Sequence, residues 1–196
     1  MRKLLLTTAA VAAAIAWVFA AEPSFGTFTD GRDGQKYKTV VIGGKKWMTQ
    51  NLNYETDSSW CYENKESNCR KYGRLYAWNA AKKACPIGWK LPDTTDWNRL
   101  EKTAGGDGAG KMLKSNGGWY KNGNGTDNYG FSALPGGLRY SDGNFICAIS
   151  HGYWWTVTEN GSNAYDRSIY SGDDMVDDEY NGKNYGFSVR CIADNP

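Results

Sequence analysis

The chain has 196 residues, with 23 basic and 21 acidic side chains, one histidine, and nine Trp, 13 Tyr and six Phe residues. Its net charge is +2, which is far below the excess of basic residues typical of proteins that bind nucleic acid. No nucleic-acid partner is therefore expected. So many aromatic residues exclude a disordered chain. A single histidine excludes most His-based zinc sites and most Ser-His or Cys-His catalytic groups.

The first twenty residues have the pattern of a secretory signal peptide. A short basic start precedes an almost wholly apolar run over 4–19, and Val18 and Ala20 suit cleavage before residue 21. The run is shorter than the roughly 20 residues of a membrane-spanning helix. The sequence therefore predicts an exported protein, secreted or held at the cell surface, with no membrane span after removal of the signal peptide (1–20).

The clearest local signal in the chain is a β-hairpin. Two strand-like runs, Tyr37–Ile42 and Lys45–Thr49, flank the pair Gly43-Gly44. Both glycines accept positive φ at no steric cost, as a two-residue hairpin turn requires.

Two helices are predicted further along. Apolar residues recur at helical spacing over 75–84, which indicates a first helix. Asp93 is suited to cap a second helix, because its carboxylate can accept from the free N–H groups of the first turn. That helix ends at Gly105-Gly106, and 111–115 adds a further short helical turn.

From residue 117 onward Gly, Asn, Asp, Ser and Tyr dominate, and short strand-like segments alternate with turns. Two helices followed by such a meander predict an α+β fold with a distorted antiparallel sheet and long irregular loops. Without a tandem repeat or an interdomain linker, 30–196 reads as a single domain after a linker over 21–29. The predicted strands lie near Leu138 and over 145–149, 153–158, 166–170 and 187–192, with turns at 142–143, 160–161, 171–172 and 181–182.

Export permits disulfides, and the chain has five cysteines. Cys61 and Cys69 flank a short polar segment suited to a local bridge, and Cys85 with Cys191 would close a loop of about a hundred residues. Cys147 is then left over. Its apolar sequence neighbours favour the interpretation that Cys147 is a small buried residue. The alternatives are that it is a reactive thiol or forms an intermolecular bridge.

Six motifs follow one another along the chain: DGQKYKTVVIGGKKWMTQNLNY (33–54), CYENKESNCRKYGRLYAWNAA (61–81), CPIGWKLPDTTDWNRL (85–100), YGFSALPGGLRY (129–140), GYWWTVTE (152–159) and YGFSVRCI (185–192). In this order they resemble the Fibrobacter succinogenes major paralogous domain, a family of exported proteins without an established biochemical activity. The resemblance covers essentially the whole chain after the signal peptide. It implies export and a single domain, and it names no ligand.

More distantly, LPDTTDWNRL (91–100) resembles a helix of formylglycine-generating sulfatase-modifying enzymes, and YGFSVRC (185–191) resembles their closing strand. This resemblance implies a C-type-lectin-like fold, with two helices and a distorted antiparallel sheet, stapled by disulfides. The active cysteines of those enzymes have no counterpart in 164–184. The Glu-Pro-Asn and Trp-Asn-Asp calcium triplets of sugar-binding lectins are also absent from the chain. The fold is therefore expected without either known active site, and no residue is assigned as catalytic.

Four aromatic residues are predicted to bind a ligand. Trp119 and Tyr120 lie in a polar, Gly-rich loop, where large aromatic side chains often serve recognition. Tyr153 and Trp155 share a face of a strand-like run, with Trp154 on the other face. Flat rings offer apolar area to a pyranose ring, while neighbouring Asn and Asp groups bind its hydroxyls. The alternative is that the two tryptophans belong to the core.

The densest acidic segment of the chain is a candidate calcium site. Asp173, Asp174, Asp177 and Asp178 supply carboxylates on what reads as a Gly-rich loop, and Ca²⁺ takes roughly six to eight oxygen ligands. The spacing fits no EF-hand pattern, and the alternative is a solvated loop without metal. His151 lies near a turn with no evident partner, and it reads as a surface histidine.

These observations predict an exported, non-enzymatic binding module that recognises polysaccharide or another surface component through aromatic-rich loops. The alternative is a structural or protein-interaction domain of the cell envelope, with a cell-envelope protein as partner. A carboxylate-based glycosidase is disfavoured, because no two acidic residues stand out from the loops in which they are predicted to lie.

Overall fold

A computed structural model describes residues 23–194. Within these residues the chain forms two β-sheets and four α-helices, which confirms a fold that mixes helices with sheets. The predicted signal peptide (1–20) and the first two residues of the linker lie outside the described residues. No helix within 23–194 is long and apolar enough to cross a membrane.

Most strands of the described chain are short, and only β9 and β10 exceed seven residues. The helices are α1 (Glu66–Tyr72), α2 (Trp78–Ala84), α3 (Thr94–Thr103) and α4 (Ala109–Leu113). The strands are β1 (Ser24–Thr29), β2 (Lys36–Ile42), β3 (Lys45–Met48), β4 (Ser59–Trp60), β5 (Leu75–Tyr76), β6 (Trp89–Lys90), β7 (Gly136–Arg139), β8 (Phe145–Ala148), β9 (His151–Asn160), β10 (Asn163–Tyr170), β11 (Asp177–Gly182), β12 (Phe187–Ser188) and β13 (Ile192–Ala193).

The first sheet has the strand order β1-β2-β3-β13-β6. Its β2–β3 hairpin confirms the predicted turn, with φ of 59° at Gly43 and 73° at Gly44. Strand β13 inserts between β3 and β6, so the first and last strands of the described chain belong to one sheet.

The second sheet has the order β11-β10-β9-β12-β5-β4, with β7 pairing parallel to β9. Strands β9 and β10 form a hairpin that turns at Gly161. The predicted turn at 181–182 is wrong, because both residues continue β11 and pair with Ala164 and Asn163. The predicted acidic loop therefore ends in an ordered edge strand.

The second predicted helix is confirmed as α3. Asp93 Oδ1 accepts from Asp96 N at 2.8 Å, and Asp96 Oδ2 accepts from Asp93 N at 3.3 Å, which completes a capping box. The first predicted helix begins later than expected, because Leu75 and Tyr76 pair with β12 as a strand. Helix α1 was not predicted, since its short polar sequence carries no apolar periodicity.

Strand β9 runs through the middle of the hydrophobic core. Trp154 packs on one side of it with Trp97 of α3, and Trp155 packs on the other side with Phe187. Both indoles are fully buried. The sheet is thus covered on both faces at this point, so alternation along β9 does not separate a core face from an open one.

Both predicted disulfides are confirmed. Cys61–Cys69 has a Cα–Cα distance of 4.9 Å, and Cys85–Cys191 has one of 5.9 Å. The second bridge ties the end of α2 to the segment between β12 and β13, where the chain passes from the second sheet to the first. Cys147 is unpaired and half-buried, and burial raises the pKa of its thiol, which keeps it protonated.

Candidate functional site

Two of the four predicted ligand-binding residues lie in the core instead. Trp119 is only 4% exposed, and its Nε1 donates to Ser115 Oγ at 3.1 Å and to Ala133 O at 3.2 Å. Trp155 is fully buried, and its Nε1 donates to Tyr76 O at 2.7 Å. Each indole N–H is satisfied inside the protein. Neither ring offers a face to a ligand, which contradicts the prediction for both tryptophans.

Tyr120 is exposed, whereas Tyr153 is only partly so, because its ring also stacks on Phe187 with the centroids 5.1 Å apart. The two residues lie on neighbouring segments. Tyr120 is 49% exposed, and its N–H donates to Ile149 O at 2.7 Å. This hydrogen bond holds the loop that carries Tyr120 against the turn before β9. Tyr153 is half-buried on β9 itself.

Three aromatic rings lie nearly parallel where β9 begins and β10 ends. The ring centroid of His151 is 5.7 Å from that of Tyr153, with 5° between the planes. It is 4.3 Å from the centroid of Tyr170, with 28° between the planes. Tyr170 lies directly opposite His151 in the ladder and is 40% exposed. It is the most accessible ring of the three.

Polar side chains of β10 and β11 lie on the same side of the sheet as these three rings. Opposite residues of an antiparallel ladder project to the same side, and Ser168 lies opposite both Tyr153 and Asp177. Glu179 lies opposite Asp166, and Ser168 Oγ donates to Glu179 Oε1 at 3.0 Å. We call this side the aromatic–acid face; it consists of His151, Tyr153, Asp166, Ser168, Tyr170, Asp177 and Glu179.

Asp166 is a buried carboxyl beneath this face. Asn181 Nδ2 donates to its Oδ1 at 2.9 Å, while its Oδ2 has no hydrogen-bond partner. Burial raises the pKa of Asp166 to about 7. The hydrogen bond from Asn181 acts to lower this pKa, and the negative charge of Glu179 acts to raise it further. Asp166 is therefore partly protonated near neutral pH.

His151 and Tyr153 are uncharged at neutral pH. Burial lowers the pKa of His151, although Glu179 and Asp173 act to raise it. Ser150 Oγ lies 2.9 Å from Nδ1 of this imidazole. Burial also raises the pKa of Tyr153 well above its ordinary value. The charge of the face consequently comes from its carboxylates alone.

The aspartates predicted to bind calcium do not converge on one point. Asp177 and Asp178 are consecutive residues of β11, so their side chains project to opposite sides of the sheet. Asp178 forms an ion pair with Arg167 on the side away from the aromatic–acid face. Pairing with β10 thus separates carboxylates that a flexible loop was expected to gather.

Asp173 and Asp174 have partners of their own. Asp173 Oδ1 accepts from Met175 N at 3.1 Å, and Asp174 Oδ1 lies 3.8 Å from Lys114 Nζ. Among residues 23–194, the acidic segment contains no three carboxylates whose oxygens lie within 4.8 Å of one another. The predicted calcium site is therefore contradicted.

Most residues of the aromatic–acid face were not selected from the sequence. His151 was read as a surface residue without a role, while Asp166, Ser168 and Tyr170 were overlooked. The sequence signal for these residues is the alternation of side chains between the two sides of a strand. Every second residue from Asp166 on β10 and from Asp177 on β11 projects to this face. Which strands pair with each other is decided by the tertiary structure. The polar residues of these strands therefore could not be combined into one site from the sequence.

The fold and the site define a disulfide-bonded protein of mixed helix and sheet, with an aromatic and acidic face on its second sheet. The family model of the Fibrobacter succinogenes major domain matches residues 40–193. The chain therefore belongs to this family. No curated protein and no solved structure matches it significantly.

Proposed function

We propose that this protein is an exported binding module with a C-type-lectin-like fold, and that it recognises polysaccharide through the aromatic–acid face. The observation that carries the proposal is the juxtaposition of three aromatic rings on β9 and β10 with carboxylates on β11. Exposed aromatic rings bind the apolar faces of sugars, and carboxylates accept hydrogen bonds from their hydroxyls.

The arrangement favours binding over catalysis. A catalytic pair of carboxyl groups would need both groups to reach the substrate, and Asp166 and Glu179 are carboxyl groups that face each other across β10 and β11. Asp166 is fully buried, however, so its carboxyl has no access to a glycosidic bond. The lectin-like part of the proposal is supported by the two disulfides and by β13, which inserts between β3 and β6.

A pull-down on insoluble polysaccharides tests this function. Cellulose, xylan, chitin and chitosan are incubated with the purified protein, and the unbound fraction is measured. Tyr170→Ala removes the most accessible ring of the site and is expected to weaken binding about tenfold. Tyr180→Ala is the matched control, since Tyr180 is 60% exposed on β11 and packs against Tyr165 on the other side of the sheet.

Equal loss of binding in both tyrosine variants would contradict the assignment of the site. A folded protein that binds none of these polysaccharides would contradict the proposed function, and it would favour an interaction domain of the cell envelope.

A further inference from the structure

In the described part of the chain, the carboxylates of the aromatic–acid face form no ion pair. Within residues 23–194, no Lys, Arg or His nitrogen lies within 4.0 Å of a carboxylate oxygen of Asp166, Asp177 or Glu179. The nearest arginine in sequence, Arg167, projects to the other side of β10 and pairs there with Asp178. Burial raises the pKa of Asp177, and repulsion from neighbouring carboxylates, that of Glu179 among them, acts in the same direction. A cation that binds between Asp177 and Glu179 relieves this repulsion.

The buried carboxyl of Asp166, directly beneath the face, lacks one hydrogen-bond partner among the described residues and responds to charge bound above it. Its side chain is fully buried and faces Glu179, yet Oδ2 accepts no hydrogen bond. Buried polar atoms in folded proteins are nearly always hydrogen-bonded, so an unsatisfied acceptor needs an explanation. An N–H donor that binds beside Glu179 adds positive charge above this carboxyl and lowers the cost of its ionisation.

Aromatic rings stand beside these carboxylates. Tyr153 lies on β9 opposite Ser168, whose small buried side chain separates it from Asp177 on β11, and His151 stacks on Tyr153. The side chain of Glu179 extends over Ser168 and accepts a hydrogen bond from its hydroxyl. An ammonium group is attracted both by the faces of neutral aromatic rings and by a carboxylate.

We infer that the aromatic–acid face selects ligands that carry a protonated amine, which for a polysaccharide means an amino sugar whose nitrogen is not acylated. This inference rests on the proposed function and names its substrate class. The electrostatics agree with it, because burial keeps the pKa of His151 low and the imidazole does not repel a cation. A uronic acid or sulfated polymer is repelled by the same carboxylates.

Three hexasaccharides of matched length test the inference: glucosamine, N-acetylglucosamine and cellohexaose, titrated calorimetrically into the purified protein with EDTA present. At about pH 7 an amine with a pKa similar to that of an α-amino group is mostly protonated, while His151, whose pKa burial lowers, is neutral. We expect the glucosamine oligomer to bind roughly tenfold more tightly than the other two, and added salt to reduce this preference.

Two variants separate a specific effect from general charge attraction. Glu179→Gln is expected to abolish the preference for the glucosamine oligomer while the protein keeps its near-ultraviolet circular dichroism. Asp107→Asn removes an exposed carboxylate after α3, which packs on the other side of the sheet, and it is expected to leave the preference unchanged. If Glu179→Gln does not fold, Asp177→Asn takes its place.

The outcomes distinguish this inference from the proposed function. Cellohexaose or the N-acetylated oligomer binding as tightly as the glucosamine oligomer would overturn the inference and leave polysaccharide binding intact. Equal loss of preference in Glu179→Gln and Asp107→Asn would also overturn it. Absence of binding by all three oligomers would overturn both.

Discussion

Arg190 and Asn51 are joined by two hydrogen bonds inside the core, from Arg190 Nε at 3.1 Å and from Nη2 at 2.9 Å to the same Oδ1 atom. Trp154 Nε1 donates to this oxygen as well, at 2.8 Å. Asn51 belongs to the first family motif, Trp154 to the fifth and Arg190 to the last. One amide oxygen thus connects segments that are far apart in sequence.

Arg190→Lys is expected to destabilise the protein by about 2–4 kcal/mol. Arg190 Nη1 also donates to Phe131 O at 2.5 Å and to Met48 O at 3.2 Å, and a lysine ammonium cannot reproduce this fork. Burial lowers the pKa of Arg190 to about 9, so a lysine there would be easier still to deprotonate. Urea denaturation measures the loss, and the exposed Arg99→Lys serves as control. A change below about 0.5 kcal/mol would refute the structural role of this residue.

The stability of the protein is expected to fall as the pH rises from about 4 to about 7. The folded-state pKa of Asp166, about 7, lies above the value of 3.8 for an ordinary aspartate, so the native state holds a proton that the unfolded state releases in this range. Asp166→Asn removes this titration and is expected to gain about 1–3 kcal/mol relative to the wild type at pH 8. Urea denaturation at pH 4.5 and pH 8 measures both. A variant whose advantage does not grow with pH would contradict the perturbed carboxyl.

The two disulfides are expected to contribute unequally. The bridge Cys85–Cys191 spans 106 positions, and Cys61–Cys69 spans eight. In the chain-entropy model these loops correspond to about 5 and about 2.5 kcal/mol. Replacing Cys85 and Cys191 by alanine should therefore lower the melting temperature more than replacing Cys61 and Cys69, as measured by circular dichroism. The reverse order would show that local packing outweighs loop closure.

Trp155→Ala is expected to cost roughly 3–5 kcal/mol of stability, because it opens a cavity and leaves Tyr76 O without its donor. Tyr120→Ala is the contrasting variant, since its exposed ring leaves no cavity. Thermal denaturation compares the two. A wild-type melting temperature for Trp155→Ala would mean that this indole is not part of the core.

Local patterns in the sequence were sufficient for several elements of the fold. The pair Gly43-Gly44 specifies its hairpin because both residues adopt positive φ, and Asp93 specifies the start of α3 because its carboxylate caps the first turn. The disulfide partners followed from spacing along the chain and from the expectation of export. Each of these features depends on chemistry within a few residues or on a small number of possible pairings.

Which aromatic residues are accessible was decided by the tertiary structure. Trp155 and Tyr153 have the same parity on β9, and Phe187 of β12 contacts both rings. Trp155 is nevertheless fully buried beside Tyr76, whereas Tyr153, nearer the start of the strand, is only half-buried. The acidic segment likewise became an edge strand because β10 offers it a pairing partner. Burial depends on what lies across a strand as well as on which side a residue projects, and only the packing of distant segments supplies that neighbour.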